Sequence, residues 1–144
     1  METSLIEKYD RSRYNLLKWF TIGWAIWFGG FILKDLIQQP IILGIISIVG
    51  LFGWFLFLIN LTRMNKLGKV IKSNEGLKNA LADELSIHNR NKSFIIGFWA
   101  FVIVSSVCFG LSIFTNISAF IVCEITIYFG TLSALIASII YNRG

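Results

Sequence analysis

An all-helical integral membrane protein with four transmembrane helices is the fold class this sequence predicts, on three observations. Charged residues make up only 15% of the 144-residue chain and hydrophobic residues 56%, with a mean hydropathy of +0.71, whereas a soluble domain carries about 25% charge. Four stretches reach the roughly 20 apolar residues that a 30 Å hydrocarbon core demands. None of them shows the alternating period of a barrel strand. A single proline and 15% aromatic residues further exclude collagen-like, low-complexity and disordered classes.

The first span is expected at about 19–37, preceded by Leu16 and Leu17. Before it, Ser4-Leu5-Ile6-Glu7 matches a capping box, so a helix is predicted to start there. Leu5, Ile6, Tyr9, Leu16 and Leu17 alternate with Glu7, Lys8, Asp10, Arg11 and Arg13. That segment either lies along the membrane surface or simply extends the first span. The second span, about 41–61, follows Pro40, a residue suited to a first helical turn because its missing N–H would be unpaired there anyway. The third and fourth, about 94–114 and 117–141, are separated by a tight Thr115-Asn116 turn.

Between the second and third spans, Leu61, Met64, Leu67 or Gly68, and Ile71 recur at helical spacing. Ser73-Asn74-Glu75-Gly76 interrupts the pattern, and Leu77, Leu81, Leu85 and His88 resume it. Residues 62–93 are thus predicted to form a helical hairpin that prolongs both spans, zipped within one protomer or against a neighbour. It is the expected interaction surface for a protein partner. Glu84 and His88, four apart, make an ordinary helix ion pair there.

Twelve of the thirteen Lys and Arg residues fall in the N-terminal segment, the middle loop and the C-terminus, with only Lys34 on the other side. The positive-inside rule then puts both termini and the hairpin in the cytoplasm, with all 144 residues forming one tetraspan domain of the inner cell membrane. The long, mixed-charge segment before the first span lacks a cleavage site, so that span is expected to stay in the protein. Arg63, Lys66, Lys69 and Lys72 recur every third residue, either as a face for an anionic lipid headgroup or ligand or as plain topological charge. No aromatic residue lies between Arg63 and Lys92, which removes the stacking platforms of single-strand nucleic-acid binding.

Catalytic signatures are missing from the sequence. One histidine rules out bis-His haem ligation within a protomer and Cys/His zinc clusters, and no P-loop, G-x-S-x-G or C-x-x-C pattern occurs. No metal, cofactor or enzymatic activity is expected. Cys108 and Cys123 fall inside spans and read as small buried hydrophobes, with a disulfide between them as the alternative.

Glu124 stands out as the only acidic residue within the predicted hydrocarbon region, Asp35 lying at the outer end of the first span, and an ionised carboxylate there costs on the order of 2.5–3.5 kcal/mol. It heads a helical stripe of Glu124, Tyr128, Thr131 and Ser138, with Ser105 and Ser106 on the preceding span and Lys34 as a snorkelling partner. That stripe either lines a path for ions or a polar solute or serves as hydrogen-bonding glue between helices. Small residues form ladders at Gly130, Ala134 and Ser138, at Ala25 and Gly29, and at Ser47, Gly50 and Gly53, more than four helices can satisfy internally, so a homo-oligomer is expected. The sequence thus points to a non-catalytic scaffold, accessory or regulatory subunit working through its hairpin. A minimal channel or proton-coupled transporter using Glu124 is the alternative.

Overall fold

The computed structural model describes residues 2–76, 79 and 84–142, with side chains at 6–76, 79 and 86–142. Four helices make up these residues: α1 (Glu2–Leu36), α2 (Pro40–Ser73), α3 (Glu84–Ser112) and α4 (Ala119–Tyr141), and no strand occurs among them. All four are long and apolar enough to cross a membrane, so the chain is a multi-pass membrane protein.

α1 is continuous from Glu2, because no proline or glycine interrupts it before Gly23. The segment before the first span is therefore a plain helical extension. Ser4 is already helical in backbone, so the helix begins before the expected cap position. α2 opens with Pro40 at its first position, as expected, and runs past its apolar stretch to Ser73. Asn74 then turns extended and donates its N–H to Ile71 O.

The turn between α3 and α4 is longer than the sequence suggested, occupying 113–118. Hydroxyls there satisfy backbone groups locally and so compete with the helix. Ser112 Oγ donates to Phe109 O (2.7 Å) and Thr115 Oγ1 to Leu111 O (2.8 Å), while Ser118 Oγ caps α4 by accepting from the Ile121 N–H (3.3 Å). This turn and the short loop at 37–39 share one end of the molecule, the loop end. Both termini lie at the opposite, terminal end.

Packing follows the order α2, α1, α4, α3: α1 packs on α2, α3 on α4, and a smaller contact joins α1 to α4. Among the described residues no comparably extensive contact joins α2 to α3, and the expected pairing of the hairpin arms falls largely on residues outside those described. Met64, Leu67 and Ile71 line a cavity together with α1 residues and with Ser86 and Arg90 of α3. Leu77 and Leu81 lie outside the described residues, as do the side chains of Glu84 and Leu85.

Each hairpin is tightened by glycine on both arms. A Cβ on Gly23 would come within 2.6 Å of Phe57 N, and one on Gly53 within 2.7 Å of Trp27 N. Across the second hairpin, a Cβ on Gly97 would sit 2.6 Å from Ala134 Cβ and 2.9 Å from Gly130 O. Such backbone approach is how membrane helices gain dispersion contact where apolar burial supplies no drive. The interior is correspondingly small and polar. Thr21, Asn60, Ser93 and Thr126 are buried, and each donates to a carbonyl four residues earlier in its own helix, at 2.7–2.8 Å. Large apolar side chains such as Ile41, Phe52, Phe98 and Phe120 point outward, an inversion that suits a lipid solvent.

Candidate functional site

Glu124 sits in the second turn of α4, partly covered by α1. Its Oε2 is buried and has no hydrogen-bond partner. The charged side chain that reaches it is Asp35, near the end of α1. Lys34, the expected partner, instead lines a groove of about 400 Å³ between α1 and α2, beside Trp27, Phe31, Ser47, Gly50 and Trp54. Consecutive helical residues point about 100° apart, so Lys34 and Asp35 cannot both face α4. Two carboxyl groups therefore meet at the loop end. Such a pair is most stable when it holds a proton or a cation between its members.

Tyr128, one turn along, also faces α1. Its hydroxyl donates to Ala25 O (3.3 Å), its ring stacks on Phe28 with centroids 6.1 Å apart, and a Cβ on Gly29 would meet it at 3.2 Å. Here the Ala25 and Gly29 ladder does its packing, against a tyrosine rather than another helix backbone. Beyond lies an aromatic cluster: Trp24 stacks on Phe28 (4.9 Å), and Phe57 lies 4.8 Å from Phe20 and 5.4 Å from Trp27. The middle of the bundle is thus filled by rings. Thr131 and Ser138 are half-buried on the same helix, but Ser138 belongs to the opposite end, where Asn142 Nδ2 donates to its carbonyl (2.7 Å) and its Oγ (3.3 Å).

The stripe is therefore split: Glu124 and Tyr128 join α1, and Ser138 joins the terminal cavity. Ser106 is exposed and bonds its own backbone at Val102 O (2.8 Å); with Ser105 half-buried, no hydrogen bond ties either serine to Glu124. Cys108 is buried as expected, but Cys123 is exposed and both thiols are free, because Cys123 takes the outer face of α4 next to the inward-turned Glu124.

Arg63, Lys66, Lys69 and Lys72 are all exposed on α2, as is His88 on α3. None of them lines the groove beside Lys34 or the terminal cavity. A cavity of about 270 Å³ does exist at the terminal end, where all four helices contribute: Asp10, Arg13 and Tyr14 from α1, Leu67 and Gly68 from α2, Arg90 from α3, and Ser138 and Asn142 from α4. Sequence reasoning counted Arg13 and Arg90 only as topological charge, since 77 residues separate them. Gly23 and Gly97 also went unnoticed; their signal was a lone glycine amid bulky apolar residues on a helix. Among the described residues, no cluster of three or more His, Cys, Asp or Glu side chains suits a metal ion. Comparison with protein-family models, with curated proteins and with solved structures finds no match to this chain.

Proposed function

We propose that this chain is a non-catalytic building block of a membrane assembly, joining copies of itself through α2 and α3 and presenting its terminal end to a cytoplasmic protein partner. One observation carries the reading. The open order α2, α1, α4, α3 leaves two edge helices, and each bears small residues with nothing opposite them near the loop end. Cβ atoms built on Gly44 of α2 and Gly110 of α3 meet no atom within 4 Å, and Ser47 and Ser106 beside them are exposed. Membrane helices associate where small residues let backbones approach. The α3 edge of one copy against the α2 edge of the next gives a head-to-tail contact that closes into a ring when its rotation permits. The positive charge gathered at the terminal end supports a cytoplasmic placement of that end in the inner membrane.

Native mass spectrometry of the protein in membrane mimetics tests the proposal. The wild-type chain is expected as an oligomer, and Gly44→Leu or Gly110→Leu as a monomer with unchanged helix content and melting temperature. A monomeric wild type sinks the assembly.

Glu124 supports a second reading, proton-coupled or ion transport, because its buried Oε2 and the facing Asp35 form a proton- or cation-holding pair at the loop end. Liposome flux between pH 5 and 8 decides it: flux abolished by Glu124→Gln supports transport. Absence of flux in the wild type removes it as an autonomous activity.

A further inference from the structure

The terminal cavity combines features that the assembly reading leaves unused. Its lining, among the described residues, holds two arginines, Arg13 and Arg90, and one acidic residue, Asp10. Among the described residues neither arginine forms an ion pair, although guanidinium forks are the side chains best suited to bidentate contact with phosphate. Tyr14 and Asn142 add neutral polar groups to the lining. Leu17, Met64, Leu67 and Ile71 give the rest of the lining an apolar character.

Depth matters as much as composition. The cavity lies where the apolar stretches end, level with the α3–α4 contact in which Asn89 Nδ2 donates to Tyr141 O (2.9 Å) and the Lys92 ammonium sits 5.8 Å from the Tyr141 ring centroid. Aromatic and basic side chains of this kind collect at the headgroup level of a bilayer. The apolar residues of the cavity lining suit the first carbons of an acyl chain while a headgroup occupies the cavity. Its volume of about 270 Å³ is just below the roughly 300–1,000 Å³ of sites that enclose whole drug-sized ligands. It therefore suits a headgroup and its first carbons.

We infer that this cavity is a binding site for an anionic phosphate group held between Arg13 and Arg90, with its apolar lining favouring a phospholipid as the carrier. The site is distinct from the exposed row Arg63, Lys66, Lys69 and Lys72, none of which lines the cavity. Gly68 supplies a clean test. It lines the cavity, and a Cβ there meets nothing within 4 Å, so a larger side chain fills the space without disturbing either arginine.

The experiment uses the full chain in phosphatidylcholine nanodiscs doped with phosphatidylglycerol, reading retained lipid by native mass spectrometry, with helix content and melting followed in parallel. Arg13→Gln and Arg90→Gln are each expected to lower phosphatidylglycerol retention about tenfold, the effect of losing one charge-assisted hydrogen bond. Gly68→Phe is expected to lower it similarly with both charges in place, which keeps the test decisive if an arginine variant melts early. Lys66→Gln with Lys69→Gln is expected to change it little. Added inorganic phosphate separates the carriers. Retention indifferent to phosphate marks the lipid, displacement by phosphate marks a soluble phosphate ligand, and both support the site. Wild-type retention in all three cavity variants, or an equal loss in the Lys66 and Lys69 control, overturns it.

Discussion

Glu124 poses the sharpest electrostatic problem in the chain, since a buried acceptor without a partner costs about 1–3 kcal/mol and its charged neighbour, Asp35, is of like sign. Glu124→Gln replaces one oxygen by an amide that can donate to Asp35. Thermal unfolding in detergent is expected to show a variant more stable by about 1 kcal/mol; a less stable one would mean the carboxylate has a stabilising partner. Tyr128 separates two contributions. Tyr128→Phe forfeits only the long bond to Ala25 O and is expected to cost about 0.6 kcal/mol. Tyr128→Ala also loses the ring on Phe28 and Gly29, at roughly 3 kcal/mol. Equal losses would make the hydroxyl, rather than the ring, the stabilising group. That Glu124 needed compensation was legible in the sequence. Its neighbour was not, because Asp35 and Lys34 are adjacent in the chain and only the rotation of α1 decides which one turns toward α4.

At the scale of the element, the helices are ordinary in backbone and unusual in which faces they bury. Glycine contributes oppositely in two settings. At Gly23 and Gly97 a methyl group would collide with the neighbouring helix at 2.6 Å, so Gly23→Ala and Gly97→Ala are each expected to destabilise by about 1–3 kcal/mol. At Gly68 the same methyl meets open space, and Gly68→Ala is expected to stabilise by roughly 0.5–1 kcal/mol through reduced backbone entropy. Denaturant titration of the three variants checks the contrast, and a stabilised Gly97→Ala would deny the close crossing of α3 and α4. Helix existence was readable from hydropathy throughout. The ends were less so: α1 and α2 run past their apolar stretches, and the α3–α4 turn lengthens because hydroxyls at Ser112, Thr115 and Ser118 bond the backbone themselves.

The whole molecule is two glycine-tightened hairpins joined along α1 and α4, with large apolar side chains outside and, within, buried small polar residues beside an aromatic cluster. Topology is testable at this scale. In a background carrying Cys108→Ala and Cys123→Ala, an impermeant thiol reagent applied to intact cells is expected to label Gln38→Cys and Asn116→Cys. Lys72→Cys and His88→Cys should react only after permeabilisation; the reverse pattern would invert the orientation drawn from basic residues. Along α2 the extended packing partner among the described residues is α1, whose helix continues without a break to Glu2.

What the sequence determined by itself is the membrane as solvent and the number of spans. These depend on summed transfer free energy over about 20 residues, a local quantity that any window along the chain reports. What only the tertiary structure decided is which faces meet. The Asp35 and Glu124 encounter, the glycine crossings and the four-helix cavity with Arg13 and Arg90 each depend on helix rotation and on side chains far apart in the chain. In a bilayer, every outward-facing apolar residue is equally well solvated, so hydropathy carries little information about rotation. Close packing of small residues sets it instead.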